Sequence, residues 1–315
     1  MSILVTGGSG LLGSRIVRKL ISRGNAVVSL DTNTEQARLA DLSNSNKLKL
    51  ISCDVRELEN LSAVLKSHHI ERVIHLAAVL APISEEKPSH GFSINIQGTA
   101  NVFEASSRAK IKRVIYASSI AVFGDQTEYG SHSEVDENSL RNPYSLYGYA
   151  KLINEETAKA YLQNSGLEAC GLRVPAIFGH GRNTGRSSAI SRLISESAIG
   201  QSTISDVAAD QAAPIIYVDD AAECFLQVCL TEQIKQPIYC LPSYLVTVEN
   251  AVEAIRSEIP DAEISFDGQA AHYKSILNVS SQRFENDFEY QLPDFKQRVI
   301  DQINEARRQK ILKKL

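Results

Sequence analysis

No stretch of this chain approaches the roughly 18 uninterrupted apolar residues of a membrane span, and nothing in it reads as a signal peptide. The first apolar run begins at residue 2, so the expectation is a cytoplasmic chain with no leader ahead of its fold. An excess of either charge is missing too: 33 Lys and Arg stand against 37 Asp and Glu, a formal charge of −4. That balance gives no electrostatic reason to expect a nucleic acid or membrane partner. Cysteine is sparse and unpaired. Cys53, Cys170, Cys224, Cys229 and Cys240 are odd in number, with no C-x-x-C spacing among them. They read as free thiols in a reducing compartment. No metal site is expected either, because His68-His69 stands alone at an expected helix end without a ligand set around it. Internal repeats and low-complexity segments are also absent.

What is present is an ordinary globular composition, 43% apolar and 22% charged, over a length that buries a large core. The chain opens on an apolar run, Ile3-Leu4-Val5, followed by glycines at a three-residue spacing, Gly7, Gly10 and Gly13. A helical face of Leu12, Ile16, Val17, Leu20 and Ile21 comes next. A strand, a glycine turn and a helix N-terminus make an anion cradle. Backbone N–H groups point at a phosphate, the helix dipole favours its charge, and the missing side chains let the backbone come close. A second apolar run, Ala26 to Leu30, ends at Asp31, 18 residues beyond Gly13. A carboxylate there accepts hydrogen bonds from ribose hydroxyls and repels a 2′-phosphate, which favours NAD over NADP. No Arg or Lys follows it until Arg38.

Further apolar runs are Lys47–Cys53, which leads into Asp54-Val55, then Val73–Ala78, Arg113–Ala117 and Leu167–Val174. Asp54 is placed either to meet an adenine amino group or to cap the helix beginning near Glu57. Ala77 and Ala78 leave room for a ligand at a strand end. His75, within an apolar strand, reads as a hydrogen-bonded core residue. A long helix is expected over about residues 89–109 and another after Pro143. Strands and helices alternate to about residue 175, the pattern of a doubly wound parallel sheet. Beyond Pro175 comes a basic loop, Gly179 to Arg186, then a helix near 188–199 and a strand-to-helix passage at Ile215–Ala222.

Tyr147 and Lys151 are four residues apart, hence on one helix face. A tyrosine with an ordinary pKa near 10 is too weakly acidic to serve as a base at neutral pH. A neighbouring ammonium favours the phenolate. So placed, Tyr147 takes a proton from a substrate hydroxyl, Lys151 also holds the nicotinamide ribose, and Ser119, ending the fifth strand, orients the substrate oxygen.

In these segments the chain resembles the extended short-chain dehydrogenases/reductases, the NAD-dependent epimerase/dehydratase family. The matching pieces are Thr6 to Gly13, Asp31, Asp54-Val55, His75 to Ala78, Asn95 to Thr99, Ser118 to Gly124, Tyr147 to Lys151, Leu172-Arg173 and Tyr217 to Asp220. The resemblance implies an α/β fold, a Rossmann-type doubly wound parallel sheet with a smaller C-terminal substrate-binding lobe. It implies NAD as cofactor and Ser119, Tyr147 and Lys151 as the catalytic trio. Its cofactor contacts fall on Gly7, Gly10, Leu11, Leu12, Gly13, Asp31, Asp54, Val55, Leu76, Ala77, Ala78, Ala117, Tyr147, Lys151 and Pro175. It also implies a homodimer formed through the helices near 92–109 and 144–165. The expected division gives about 1–175 to the NAD-binding domain, with a returning segment at about 207–235. The substrate lobe takes 176–206 and 236–315.

The likeness departs from the pattern in two places. Many nucleotide-sugar members carry an Asn after the sixth strand that touches the substrate pyrophosphate; here Ala176 stands there and cannot donate that bond. Dehydratases carry an acidic pair after the serine; here the pair is Ile120-Ala121. Arg182 and Arg186 are candidates, with Ser119 and Ala176, for the substrate end, where they would hold a carboxylate or phosphate. Ser118–Gly124 and Ile215–Ala221 are similar to segments of threonine 3-dehydrogenases. The loop after Pro175 is nearer to members that oxidise sugar acids or polyols. The expected activity is hydride transfer at a secondary alcohol of a sugar, sugar acid or similar small molecule. The alternatives are a nucleotide-sugar 4-epimerase, a threonine 3-dehydrogenase-like enzyme, or a non-catalytic NAD-binding regulatory protein.

Overall fold

The computed structural model describes residues 1–33, 37–185 and 188–312. Among them twelve strands follow in chain order: β1 Ser2–Thr6, β2 Ala26–Asp31, β3 Leu48–Ser52, β4 Arg72–His75, β5 Arg113–Ser119, β6 Glu168–Val174, β7 Ala176–Phe178, β8 Thr203–Val207, β9 Ala212–Tyr217, β10 Ile238–Cys240, β11 Tyr244–Thr247 and β12 Ile264–Ala271. Seven form one sheet in the order β10-β6-β5-β4-β1-β2-β3, and every neighbouring pair is parallel. The chain starts mid-sheet, winds outward to β3, returns to β4 beside β1, and winds out the other way. That reversal opens a crevice at the carboxyl ends of β1 and β4, where a doubly wound sheet takes its ligand.

Helices cover both faces, so the strands are apolar on both sides. Ile3, Val5, Ile74 and Ile115 pack with Ile16 and Leu20 of the helix Leu11–Ser22 and Phe225 of the helix Val218–Leu230. Leu4, Val73, Val114 and Tyr116 alternate to the other face. There they meet Leu61 of the helix Leu58–Ser67, Phe103 of Thr99–Arg108 and Ala158 of Leu146–Ser165. No helix of the described residues is long and apolar enough to cross a membrane. All five cysteines are free and buried.

Strand β4 stops at His75, although the apolar run continues to Ala78. The Leu76 N–H still bonds the Thr6 carbonyl at 3.1 Å and is shared with Thr6 Oγ1 at 3.2 Å, and Oγ1 also accepts the Ala77 N–H at 3.3 Å, holding the chain along the crevice. The same hydroxyl lies 2.7 Å from His75 Nδ1, and His75 Nε2 lies 2.9 Å from Thr99 Oγ1. The Thr99 hydroxyl donates to the Asn95 carbonyl. His75 Nε2 must therefore donate to Thr99, and Nδ1 must accept from Thr6, which fixes the tautomer. Asn95 lies in a π-type turn, Ser93–Gly98, set into the long helix expected there, and the wider turn leaves its carbonyl open to Thr99 and to Asn154 Nδ2. Burial, assisted by the Lys151 charge, pushes the imidazole down to about 3, so His75 is neutral.

A second buried polar cluster joins β5, β6 and the helix Leu146–Ser165. Ser118 and Arg173 are register partners, and both reach Glu155. Arg173 donates from Nε and Nη2 at 3.0 and 2.9 Å, and Ser118 Oγ at 2.6 Å. Arg173 stacks 4.8 Å over the Phe123 ring and donates to the Glu137 carbonyl. The pair is 1% and 7% exposed.

The smaller lobe holds the sheet β11-β9-β7 and the pair β12-β8. The helices Ser188–Ala198, Val248–Glu258 and Phe295–Leu312 pack against that sheet around Phe178, Leu193, Ile255 and Val299. Two strands pair across the expected division. Ile238–Cys240 is the edge strand of the large sheet, paired with β6; at three residues it leaves no apolar run to read. β9 belongs to the small lobe's sheet, between β7 and β11; only the helix that follows it returns to the large sheet.

Two outcomes follow for stability. Glu155→Ala strands the Arg173 charge in the core and costs about 3–5 kcal/mol of unfolding free energy by urea titration; replacing both partners with apolar residues costs less than the sum of the single changes. Unfolded His75 titrates near 6.5 and folded His75 near 3. The unfolded chain therefore binds the extra proton between those values, and stability falls as pH drops through that window. Thermal unfolding from pH 7 to 4 reads this slope. A His75→Gln variant that folds loses about one proton's share of it.

Candidate active site

β1 gives way to a turn at Gly7, whose φ is +66°. A Cβ on Gly7 would stand 2.9 Å from the Ala77 amide nitrogen. One on Gly13 would overlap the Gly7 carbonyl and stand 2.7 Å from Gly8 Cα. The glycines thus let three backbone segments meet at the crevice mouth. The helix Leu11–Ser22 has Gly10 as its N-cap, with no side-chain cap and no acidic residue in its first turn. Its positive end faces a cleft of about 870 Å3 lined by Gly7, Gly10, Leu11, Leu12 and Gly13. These residues fit a dinucleotide pyrophosphate: an uncapped helix end, no competing carboxylate in its first turn, and no Cβ on the turn.

The cleft runs from Asp31 to the smaller lobe. Asp31 ends β2, lines the wall, and accepts the Ser9 N–H at 3.2 Å. Asp54 and Val55 line the same end. Asp54 does not cap the helix near Glu57. Its oxygens take the Arg56 backbone N–H at 2.9 Å and the Arg56 guanidinium at 2.6–3.0 Å, which holds the carboxyl below its usual range. Leu76, Ala77, Ala78, Ala117 and Pro175 continue the wall.

Ser119, Tyr147 and Lys151 converge beyond them. Ser119 ends β5 and its Oγ accepts the Ala121 N–H at 3.1 Å. Gly148 lets the helix Leu146–Ser165 come against this loop, for a Cβ there would lie 2.6 Å from the Ala121 carbonyl oxygen. Lys151 Nζ donates to the Ala117 carbonyl at 2.7 Å and sits 5.4 Å from the centre of the Tyr147 ring. Burial pushes the ammonium down to about 8. Burial pushes the Tyr147 phenol up to about 12, opposed by the charge of Arg182 and by a hydrogen bond with Ser119. Lys151 spends its charge on a carbonyl and on the ring face.

At the far end Ala176, the first residue of β7, lines the cleft with Arg182. Arg182 Nε is buried with no hydrogen-bond partner among the described residues. Arg186 lies outside the described residues. Tyr273, Ser275 and Ile276, from an irregular segment of the smaller lobe, also line this end. No motif marks them in the sequence, since only the anchoring of their loop brings them there. Ser275 N–H bonds Asp125, and the N–H groups of Leu277 and Asn278 bond Gln126. Glu85 is the other residue that pattern reading missed; its carboxylate takes the backbone N–H groups of Leu146 and Tyr147. No cluster of three or more metal-ligating side chains occurs among the described residues.

The chain is 34% identical over 228 residues to a putative UDP-glucose 4-epimerase of Methanocaldococcus jannaschii, covering 71% of this chain and 72% of that one. It is 29% identical over 188 residues to a 3-beta-hydroxysteroid dehydrogenase of Mycolicibacterium neoaurum; the match covers 58% of this chain and 49% of that protein. Among solved structures, a partial consensus L-threonine 3-dehydrogenase superposes with a TM-score of 0.86 at 21% identity, over 97% of this chain and 99% of that one. The Thermus thermophilus UDP-glucose 4-epimerase in complex with NAD gives 0.84 at 22%, over 98% and 99%. At those identities the structures share the fold. The family model that matches spans residues 3–240, from the glycine turn through the edge strand β10. With it, the chain belongs to the NAD dependent epimerase/dehydratase family and is an NAD-dependent enzyme of the extended short-chain dehydrogenase/reductase type.

Proposed function

We propose that the protein oxidises a secondary alcohol on a small anionic substrate of the sugar-acid class. The observation that carries this reading is the meeting of Ser119, Tyr147 and Lys151 with Arg182 in one cleft. NAD, when bound, supplies the hydride acceptor. Asp31 holds its adenosine ribose, the turn at Gly7–Gly13 its pyrophosphate, and Lys151 its nicotinamide ribose. Tyr147 takes the hydroxyl proton. Ser119 hydrogen-bonds the same oxygen and fixes the approach of the carbinol carbon. Arg182 and Ser119 oppose the rise that burial imposes on the phenol, and a cationic nicotinamide would act in the same direction. Arg182 has a buried Nε with no hydrogen-bond partner among the described residues and a charge reaching Tyr147. A substrate carboxylate takes up that donor and sets the alcohol beside the phenol.

In this reading residues 1–175 and the helix Val218–Leu230 serve the nucleotide, and the smaller lobe serves the substrate. The enzyme works in the cytoplasm, where its five buried thiols stay reduced. It acts as a homodimer, with Phe92 61%, Leu146 49%, Tyr149 49% and Ile153 43% exposed on the two long helices and covered by the partner. A second reading, a nucleotide-sugar 4-epimerase, is favoured by the similarity to the M. jannaschii protein. Ala176 at the cleft wall counts against it.

The test follows NADH absorbance with D-glucuronate, xylitol, L-threonine and UDP-glucose as substrates. The expected outcome is turnover of the acid. Tyr147→Phe lowers kcat on the order of 100-fold or more, and Arg182→Ala raises KM for the acid roughly tenfold to a hundredfold. The rate climbs with pH as Tyr147 ionises and declines above about 8, where Lys151 sheds its proton. Conversion of UDP-glucose to its 4-epimer, with the acid untouched, establishes the second reading instead. Undiminished turnover in Tyr147→Phe rules out both.

A further inference from the structure

We infer that Glu85 is a positioning residue for Tyr147: its carboxylate ties the loop that lines the cofactor cleft to the first helical turn carrying the phenol. This rests on the reading of Tyr147 as the proton acceptor.

A helix begins with backbone N–H groups that have no partner in the preceding turn. In the helix Leu146–Ser165 three of these are taken up from outside the helical ladder. Ser145 Oγ, the N-cap, accepts the Gly148 N–H at 3.1 Å. Glu85 accepts the other two, Oε2 from Leu146 at 3.2 Å and Oε1 from Tyr147 at 3.0 Å. A helix is usually capped by its own neighbours in sequence; this one takes a carboxylate from about 60 residues upstream. Glu85 lies in the short helix Ile83–Glu86, just after Val79, Leu80 and Ala81, which line the cleft.

The loop is anchored to the same helix at its other end. Asn95 clasps the Val79 backbone, accepting its N–H and donating to its carbonyl, each at 2.8 Å. Asn154, two turns after Tyr147, donates to the Asn95 carbonyl at 2.8 Å. On the opposite side Gly148 lies against the Ala121 carbonyl with no room for a methyl group. The first turn is therefore held between Glu85 and the loop after Ser119. Lys151, one turn on, has its own anchor at the Ala117 carbonyl. Loss of Glu85 thus frees Tyr147 and leaves Lys151 in place. A displacement of about 1 Å at a reacting group is enough to cost on the order of 100-fold in rate.

Two effects of removing the carboxylate oppose each other at the phenol. Losing a nearby negative charge eases ionisation. Drifting from Ser119 and Arg182 hinders it, because these are the groups that oppose burial. A rise in the titration midpoint therefore reports displacement. The experiment is ultraviolet difference titration of tyrosinate in NAD-saturated enzyme, wild type minus Tyr147→Phe, repeated in Glu85→Ala and Glu85→Gln backgrounds. The expected result is a midpoint raised by about one pH unit in Glu85→Ala, a tenfold loss of phenolate at a given pH. Glu85→Gln, which keeps one acceptor oxygen, falls between, and amide hydrogen exchange quickens at Leu146 and Tyr147 in both. A midpoint that stays or falls in Glu85→Ala overturns the inference. If that variant does not fold, a midpoint at or below wild type in Glu85→Gln does the same. If wild-type Tyr147 forms no phenolate below about pH 10 in the NAD complex, the proton-acceptor reading itself fails.

Discussion

The geometry of the cleft depends on one buried ion pair, Arg173 with Glu155. The ends of β5 and β6 and the helix Leu146–Ser165 are three separate pieces of chain, and Glu155 bonds all three through Ser118, Arg173 and its own backbone. Ser118 precedes Ser119, and Glu155 follows Lys151 by one helical turn. The contact that closes the core therefore also sets the distance between the serine strand and the tyrosine helix. A buried pair of this kind adds little net stability over an apolar substitute, but it is costly to break and tolerates little slippage. That intolerance is what an active site needs from its scaffold, because a helix free to slide would carry Tyr147 and Lys151 with it.

Around this frame the cleft is arranged by charge. One end offers an uncapped helix and a carboxylate, Asp31, suited to a phosphate and a ribose. The other holds a buried lysine, Lys151, and a half-buried arginine, Arg182, whose charged forms are disfavoured by loss of water. Tyr147 stands between them with its phenol pushed up by the same desolvation. The charge of Arg182 and the hydrogen bond with Ser119 oppose that rise.

Much of this was legible in the sequence because it is local. Gly7, Gly10 and Gly13 between a strand and a helix, Asp31 at the next strand end, and Tyr147 four residues before Lys151 are short-range spacings with direct geometric meaning. What was hidden depends on distant parts of the chain. Glu85 caps a helix 61 residues on. Tyr273 and Ser275 reach the cleft through a loop fastened to Asp125 and Gln126. The three residues of β10 carry too little pattern to be told from a turn, and only their pairing with β6 places them in the large sheet. Past the end of β4 the Thr6 hydroxyl takes the Ala77 N–H and shares that of Leu76, a contact between residues 70 positions apart. The surroundings of the Tyr147–Lys151 pair were hidden for a related reason. Spacing along a helix says which side chains are neighbours, but the Ala117 carbonyl that claims Lys151 and the Arg182 that faces Tyr147 come from elsewhere.

The most direct test of the account is a crystal structure of the protein with NAD bound. The account predicts the pyrophosphate against the backbone of Leu11 and Leu12, the adenosine ribose on Asp31, and Lys151 on the nicotinamide ribose. The nicotinamide ring then lies beside Ser119 and Tyr147, with the space toward Arg182 open. A nicotinamide turned away from Tyr147, or a dinucleotide lying outside the crevice between β1 and β4, contradicts it.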